Sequence, residues 1–164
     1  MSAEQLGFVS HLVQVLSPVV DVGGWDVRVA SEFERQDAYA TMSHWPGQLR
    51  ATLAVSEEFF ASTGTDQVQT LLHELVHCRV FLLHEQVQVV VQSVGLEEDA
   101  AALAEGVVTV EVERLVDSLA DTFLRMVDVE AVVNAARSAG QRQARSLRAV
   151  PAPRTRTAKA RPRS

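Results

Sequence analysis

One cysteine, one tyrosine and one lysine are all that 164 residues contain of these types. The lone Cys78 excludes an internal disulfide framework. No run of about 18 apolar residues occurs, which excludes a membrane-spanning helix. The opening "MSAEQLGFVSHLVQVLSP" has no basic start, and Glu4, Gln5, His11 and Gln14 interrupt its apolar residues, so it reads as an amphipathic helix rather than a signal peptide. These absences together point to a cytoplasmic protein. Acidic residues are also missing after Glu130. From Arg137 onward, eight arginines and Lys159 give +9, whereas the rest of the chain sets 21 acids against six bases, giving −15. This asymmetry divides the chain into a domain over 1–136 and a basic, Pro/Ala/Arg-rich, largely disordered tail over 137–164. The closing "AVPAPRTRTAKARPRS" has too little apolar surface to order itself. Its charge permits weak contact with nucleic acid, although a solvated terminus is the simpler reading.

What is present is enough apolar content, 47%, for one buried core. Ser2 and Gln5 have capping-box spacing for a helix over about 3–16, which Pro18 ends. "WDVRVAS" alternates as a strand does, and "AYATM" and "QLRATLAV" also read as strands. The turn composition of "SHWPGQ" joins the last two as a hairpin. "SEEFFAS" is a short helical piece. Asp66 and Gln69 have the spacing to open a helix that runs to about Leu83. "HEQVQVVVQSVG" suits a strand or a continued helix equally. A helical pattern covers about 96–127, with Gly106 the point where a break would fall, and a last helix runs from about Val129 into the tail. Helix, three strands, then helices predicts an α+β fold, with a small strand layer packed on the helix that carries the chemistry.

That helix contains "LLHELVHCRV". His73 and His77 are one turn apart and point the same way, so their imidazoles can share one zinc ion. Glu74 projects beside them, placed to take a proton from an activated water. A pair of core histidines bonded to backbone or carboxylate is the alternative, and the glutamate between them argues against it.

A third ligand is needed. His84 falls on the same face, but about 10 Å further along a continuous helix. The metzincin spacing is absent, because Val80 and Leu83 occupy the glycine and last histidine positions. "VEVERLVDSLADTF" offers better. On a helical wheel of about 100° per residue, Glu113 lies inside an apolar stripe with Val116, Ala120 and Phe123, toward one margin. Asp117 lies about 40° away, one turn on, and Glu111 falls on the opposite side. Glu113 is therefore the expected ligand, and Asp117 the expected acceptor for the other N–H of a ligating histidine, against the plainer reading of two partly exposed carboxylates near Arg114 and Arg125. Glu105 is a weaker rival, with Thr109 rather than a carboxylate one turn on.

"HELVH" followed by a helix carrying "ERLVD" resembles the gluzincin metallopeptidases, whose third ligand is the glutamate of an ExxxD pattern. Short length, a small strand layer and simple helices resemble the minimal gluzincins common in bacteria and phages, over about Trp25 to Val127. The resemblance implies a zincin-like fold and a zinc peptidase acting on a peptide or protein substrate, with zinc on His73, His77 and Glu113 and with Glu74 as general base. Two alternatives stand beside it: a non-catalytic protein stapled by zinc, and a nucleic-acid-associated protein working through its tail. Cys78 reads as a buried inert thiol, Tyr39 as a core or strand-pairing residue, Trp25 as core, and His11 and His44 as surface or cap residues.

Overall fold

A computed structural model describes residues 1–33, 38–45 and 47–148. Helix α1 (Ala3–Leu16) starts with the expected reciprocal cap: Gln5 N–H donates to Ser2 Oγ at 3.2 Å, and Ser2 N–H donates to Gln5 Oε1 at 2.6 Å. Its apolar face buries Phe8, Val9, Leu12, Val13 and Leu16. Strands β1 (Asp26–Val29), β2 (Ala40–His44) and β3 (Arg50–Val55) form one sheet in the order β1-β3-β2. The β2–β3 pair is the antiparallel hairpin, and β1 runs parallel to β3. β3 is central, so β1 and β2 are the edges. Ala51, Leu53 and Val55 of β3 alternate onto the buried face. A short α2 (Glu57–Ala61) leads to α3 (Gly64–Ser93), α4 (Glu98–Leu124) and α5 (Val129–Arg148). The fold is mixed α+β, a three-stranded sheet with five helices among the described residues. None of these helices is long and apolar enough to cross a membrane.

Helix α3 positions the site. Val68, Leu71, Leu72, Leu75 and Val76 are fully buried, and each such side chain contributes about 1.5–3 kcal/mol of burial. Its start differs from the expected one. Thr63, not Asp66, is the N-cap: Thr63 Oγ1 accepts from Asp66 N–H at 3.2 Å, and Asp66 occupies N3. Gln69 is thereby free of capping and donates from Nε2 to Asp121 of α4 at 2.9 Å. The ambiguous "HEQVQVVVQS" is helical. Packing along α4 outweighs the few tenths of a kcal/mol by which each valine disfavours a helix. The chain turns only at Gly95, whose φ of 68° is the left-handed conformation that terminates helices. Helix α4 runs unbroken through Gly106.

The last helix runs well past Arg137. Residues 137–148 belong to α5, which lies along α1, so Arg137 does not begin the tail. Gly7 and Gly140 face each other where the helices cross, and a Cβ on Gly140 would collide with the Glu4 carbonyl oxygen and the Phe8 nitrogen. Composition concealed this packing, because the contact is made by residues with no side chain. The rest of the expected tail, 149–164, with its nucleic-acid contact, lies outside the described residues. Gly140→Ala is expected to lower stability by about 1–3 kcal/mol, as overpacking does, despite the helical preference for alanine. Truncation after Ala136 should lower Tm substantially and truncation after Arg148 should not. Thermal unfolding followed by circular dichroism checks all three variants.

Candidate metal centre

His73 and His77 are held by the buried half of α3, and Glu113 by α4 crossing in front of it. One atom from each of the three lies within 4.8 Å of the other two, a grouping that fits a metal ion. The His73 and His77 Nε2 atoms are 3.1 Å apart, and Glu113 Oε2 is 3.6 and 3.7 Å from them. His73 Nδ1 lies 2.9 Å from Asp117 Oδ1. An ionised carboxylate only accepts, so His73 Nδ1 carries the proton and Nε2 presents its lone pair toward the group. Glu111 is elsewhere, taking a hydrogen bond from Arg114 Nη1 at 2.7 Å. Glu105 is outside the group as well.

Glu113 is less buried than the wheel implies. Its side chain is 49% exposed, because the apolar stripe is covered only from Val116 and Ala120 onward, while Val110 stands in solvent. The carboxylate faces an open cleft of about 430 Å³. Glu74, His73 and His77 line that cleft, with Ala40, Met42 and His44 from β2, Val80 and Phe81 from α3, and Val112 from α4. His84 also lines it, two turns beyond His77 on the unbroken α3, and its Nε2 pairs with Gln88 Nε2 at 3.3 Å. Burial lowers the His77 pKa, the Glu113 carboxylate opposes the shift, and His73 adds to it. The net effect keeps the imidazole neutral, the form that binds metal.

His44 is neither surface nor cap. Its ring stacks on Phe81 at 4.2 Å and meets Trp25 edge-on at 5.7 Å. Its Nε2 is buried and has no hydrogen-bond partner among the described residues. The sequence reading placed His44 in the turn, whereas it ends β2, and its stacking partner lies 37 positions away on another element. Burial first, and His77 second, push its pKa down to about 4. A depressed imidazole pKa means that protonation opposes folding. Stability is therefore full above about pH 6.5 and falls as pH drops from there toward about 4. His44→Phe keeps the stack and removes the proton site, so the acid loss of Tm should be shallower than in the parent. Equal pH profiles would show that His44 does not contribute.

Tyr39 is not core: its ring is 56% exposed and lines a second, shallow cleft with His73 and Gln69. Trp25 is half-buried against the core. Cys78 is buried, and burial, reinforced by the Glu74 carboxylate, pushes its thiol up to about 12, which makes it a poor nucleophile. No protein-family model, curated protein or solved structure matches the chain.

Proposed function

We propose that the chain is a zinc-dependent peptidase of minimal gluzincin plan. The reading is carried by one observation: the convergence of His73, His77 and Glu113 from two helices, in a cleft that Glu74 also lines. Two imidazoles and a carboxylate are a zinc donor set, and three protein ligands leave a position open for chemistry. Zinc in that set supplies Lewis acidity, which lowers the pKa of a water and polarises a carbonyl.

The chain's own groups supply the rest. Glu74 immediately follows a ligand on α3, so its carboxylate stands at the cleft without belonging to the donor set. It accepts the proton of the attacking water and returns one to the leaving amine. Asp117 holds His73 in one tautomer and orientation. β3 is paired on both sides, whereas β2 is an edge that borders the cleft. β2 can therefore bind an extended peptide by strand addition. Met42, Val80, Phe81 and Val112 make the adjoining wall apolar, which favours an apolar substrate side chain beside the scissile bond. Zinc acting only as a staple would account for the ligands but does not call for a carboxylate lining the cleft beside them.

The test is metal analysis joined to a peptide-library digest read by mass spectrometry. The purified protein should hold about one zinc per chain. The zinc-loaded form should cleave a restricted set of peptides, and chelation should stop it. Zinc-loaded protein that cleaves nothing across a broad library would remove the peptidase reading and leave the binding role.

A further inference from the structure

From Phe81 to Leu115 no residue is buried, although both helices are regular there. The second half of α3 and the first half of α4 form a helical hairpin arm that projects beyond the core. The arm exposes apolar side chains in heptad register. On α4, Leu103 and Val110 are seven residues apart with Val107 between them, all three within about 60° on a helical wheel, and Leu96 lies in the turn seven residues before Leu103. On α3, Leu83 and Val90 are one heptad apart. Because the helices are antiparallel, the same wheel sets both groups on one side of the hairpin. Glu113 lies about 80° round from Leu103, so the stripe and the metal cleft use different sides of α4.

We infer that this face is an interface between two copies of the chain, in which two arms pair antiparallel to form a four-helix bundle. Repeats of 3.5 residues are the pattern by which a helix seats another helix, and a two-helix layer is closed by a second one. The area suffices. The six side chains named or implied in that stripe, Leu83, Val90, Leu96, Leu103, Val107 and Val110, are 42–70% exposed. They show on the order of 500 Å² of apolar surface, at the upper end of the largest patch on a typical monomer. With the stems of the rim residues, the face approaches the roughly 800 Å² that one partner contributes to a stable interface.

Charge sets the direction. The tip carries Glu97, Glu98 and Asp99, all exposed, and no lysine or arginine occurs on the arm until Arg114. Arg114 lies about 20° from Leu103 on the wheel, on the stripe at the base of the arm, and is 71% exposed. Antiparallel pairing about Leu103 brings each acidic tip to within about 9–11 Å, along the helix, of the other copy's Arg114, whereas parallel pairing would set three acids against three. A two-fold axis then passes near Leu103, midway along the stripe. The pairing does not depend on the peptidase reading, but it would steady the helix that carries Glu113 and Asp117.

Sedimentation velocity on the full chain at micromolar concentrations tests this. The expected result is a dimer, with Leu103→Glu monomeric and unchanged in circular dichroism, since that side chain is 70% exposed. Single cysteines then read the direction, with native Cys78 buried and silent. Leu103→Cys should form a disulfide-linked dimer under mild oxidation. Leu96→Cys should not, because it precedes α4, and the five helical residues from Leu103 back to Glu98 alone separate the two copies by about 15 Å, beyond disulfide reach. A monomeric parent, a dimer that survives Leu103→Glu, or equal cross-linking at Leu96 would each overturn the proposal. A monomeric parent that dimerises once 149–164 are removed would overturn it too, by showing the basic tail as occupant.

Discussion

His73→Ala or His77→Ala is expected to abolish tight zinc binding, and with it any hydrolysis. Each change removes one of three donors, and two donors from a single group of side chains cannot hold zinc against water with comparable affinity. Both histidines are partly buried at the edge of the packed first half of α3, so alanine there costs little core and the fold should survive. The carboxylates supply the internal control. Glu113→Ala should lose zinc, because its Oε2 stands within 3.7 Å of both imidazoles. Glu111→Ala should keep it, because that carboxylate is engaged by Arg114 on another side of α4. Asp117→Ala should fall between them, weakening affinity by about 10–100-fold through loss of His73 orientation rather than of a donor. The order to be measured by competition with a chromophoric chelator is therefore Glu111→Ala, Asp117→Ala, then the three ligand variants. Zinc retained in full by the His73/His77 double variant would end the metal reading. An inverted order of Glu111 and Glu113 would instead reassign the third donor.

That order rests on distances, yet most of its members could be named before any distance was known. HELVH is legible because two histidines four apart on a helix must face the same way, whatever surrounds them. Glu113 and Asp117 are legible because helical periodicity separates them from Glu111 by angle alone. The Ser2–Gln5 cap and the β2–β3 hairpin are equally local, and the structure contains both. What the sequence hid is nonlocal or depends on missing atoms. His44 looked like a surface or cap residue because its partners, Trp25 and Phe81, come from the residue before β1 and from α3. The arm looked ambiguous because valines favour strands until a neighbouring helix packs along them. The segment after Arg137 looked like tail because the feature that docks it is a pair of glycines at a helix crossing, which composition counts as flexibility. The opening of α3 was misplaced by one capping unit because Thr63 and Asp66 satisfy the same spacing rule as Asp66 and Gln69. Only the buried turn that follows decides between them.

Glu74→Gln is expected to separate binding from catalysis. The amide keeps the size and the hydrogen-bonding reach of the carboxylate but cannot accept a proton in the transition state. Zinc content should be unchanged, because Glu74 is outside the donor set. Peptide hydrolysis should fall by at least about 10²-fold, the lower end of what a positioned general base contributes. The split should appear in kcat rather than KM, since substrate is held by the β2 edge and the apolar wall rather than by Glu74. Glu74→Asp is the companion measurement. It restores a base but withdraws it by one methylene, so partial recovery over the glutamine variant would mark proton transfer, not charge alone. Cleavage unchanged by Glu74→Gln would mean that the activity belongs to a contaminant or to another group in the cleft. A glutamine variant that lost its zinc would mean that Glu74 holds the metal, directly or through His73. In either case the base would have to be sought again among the residues that line the cleft.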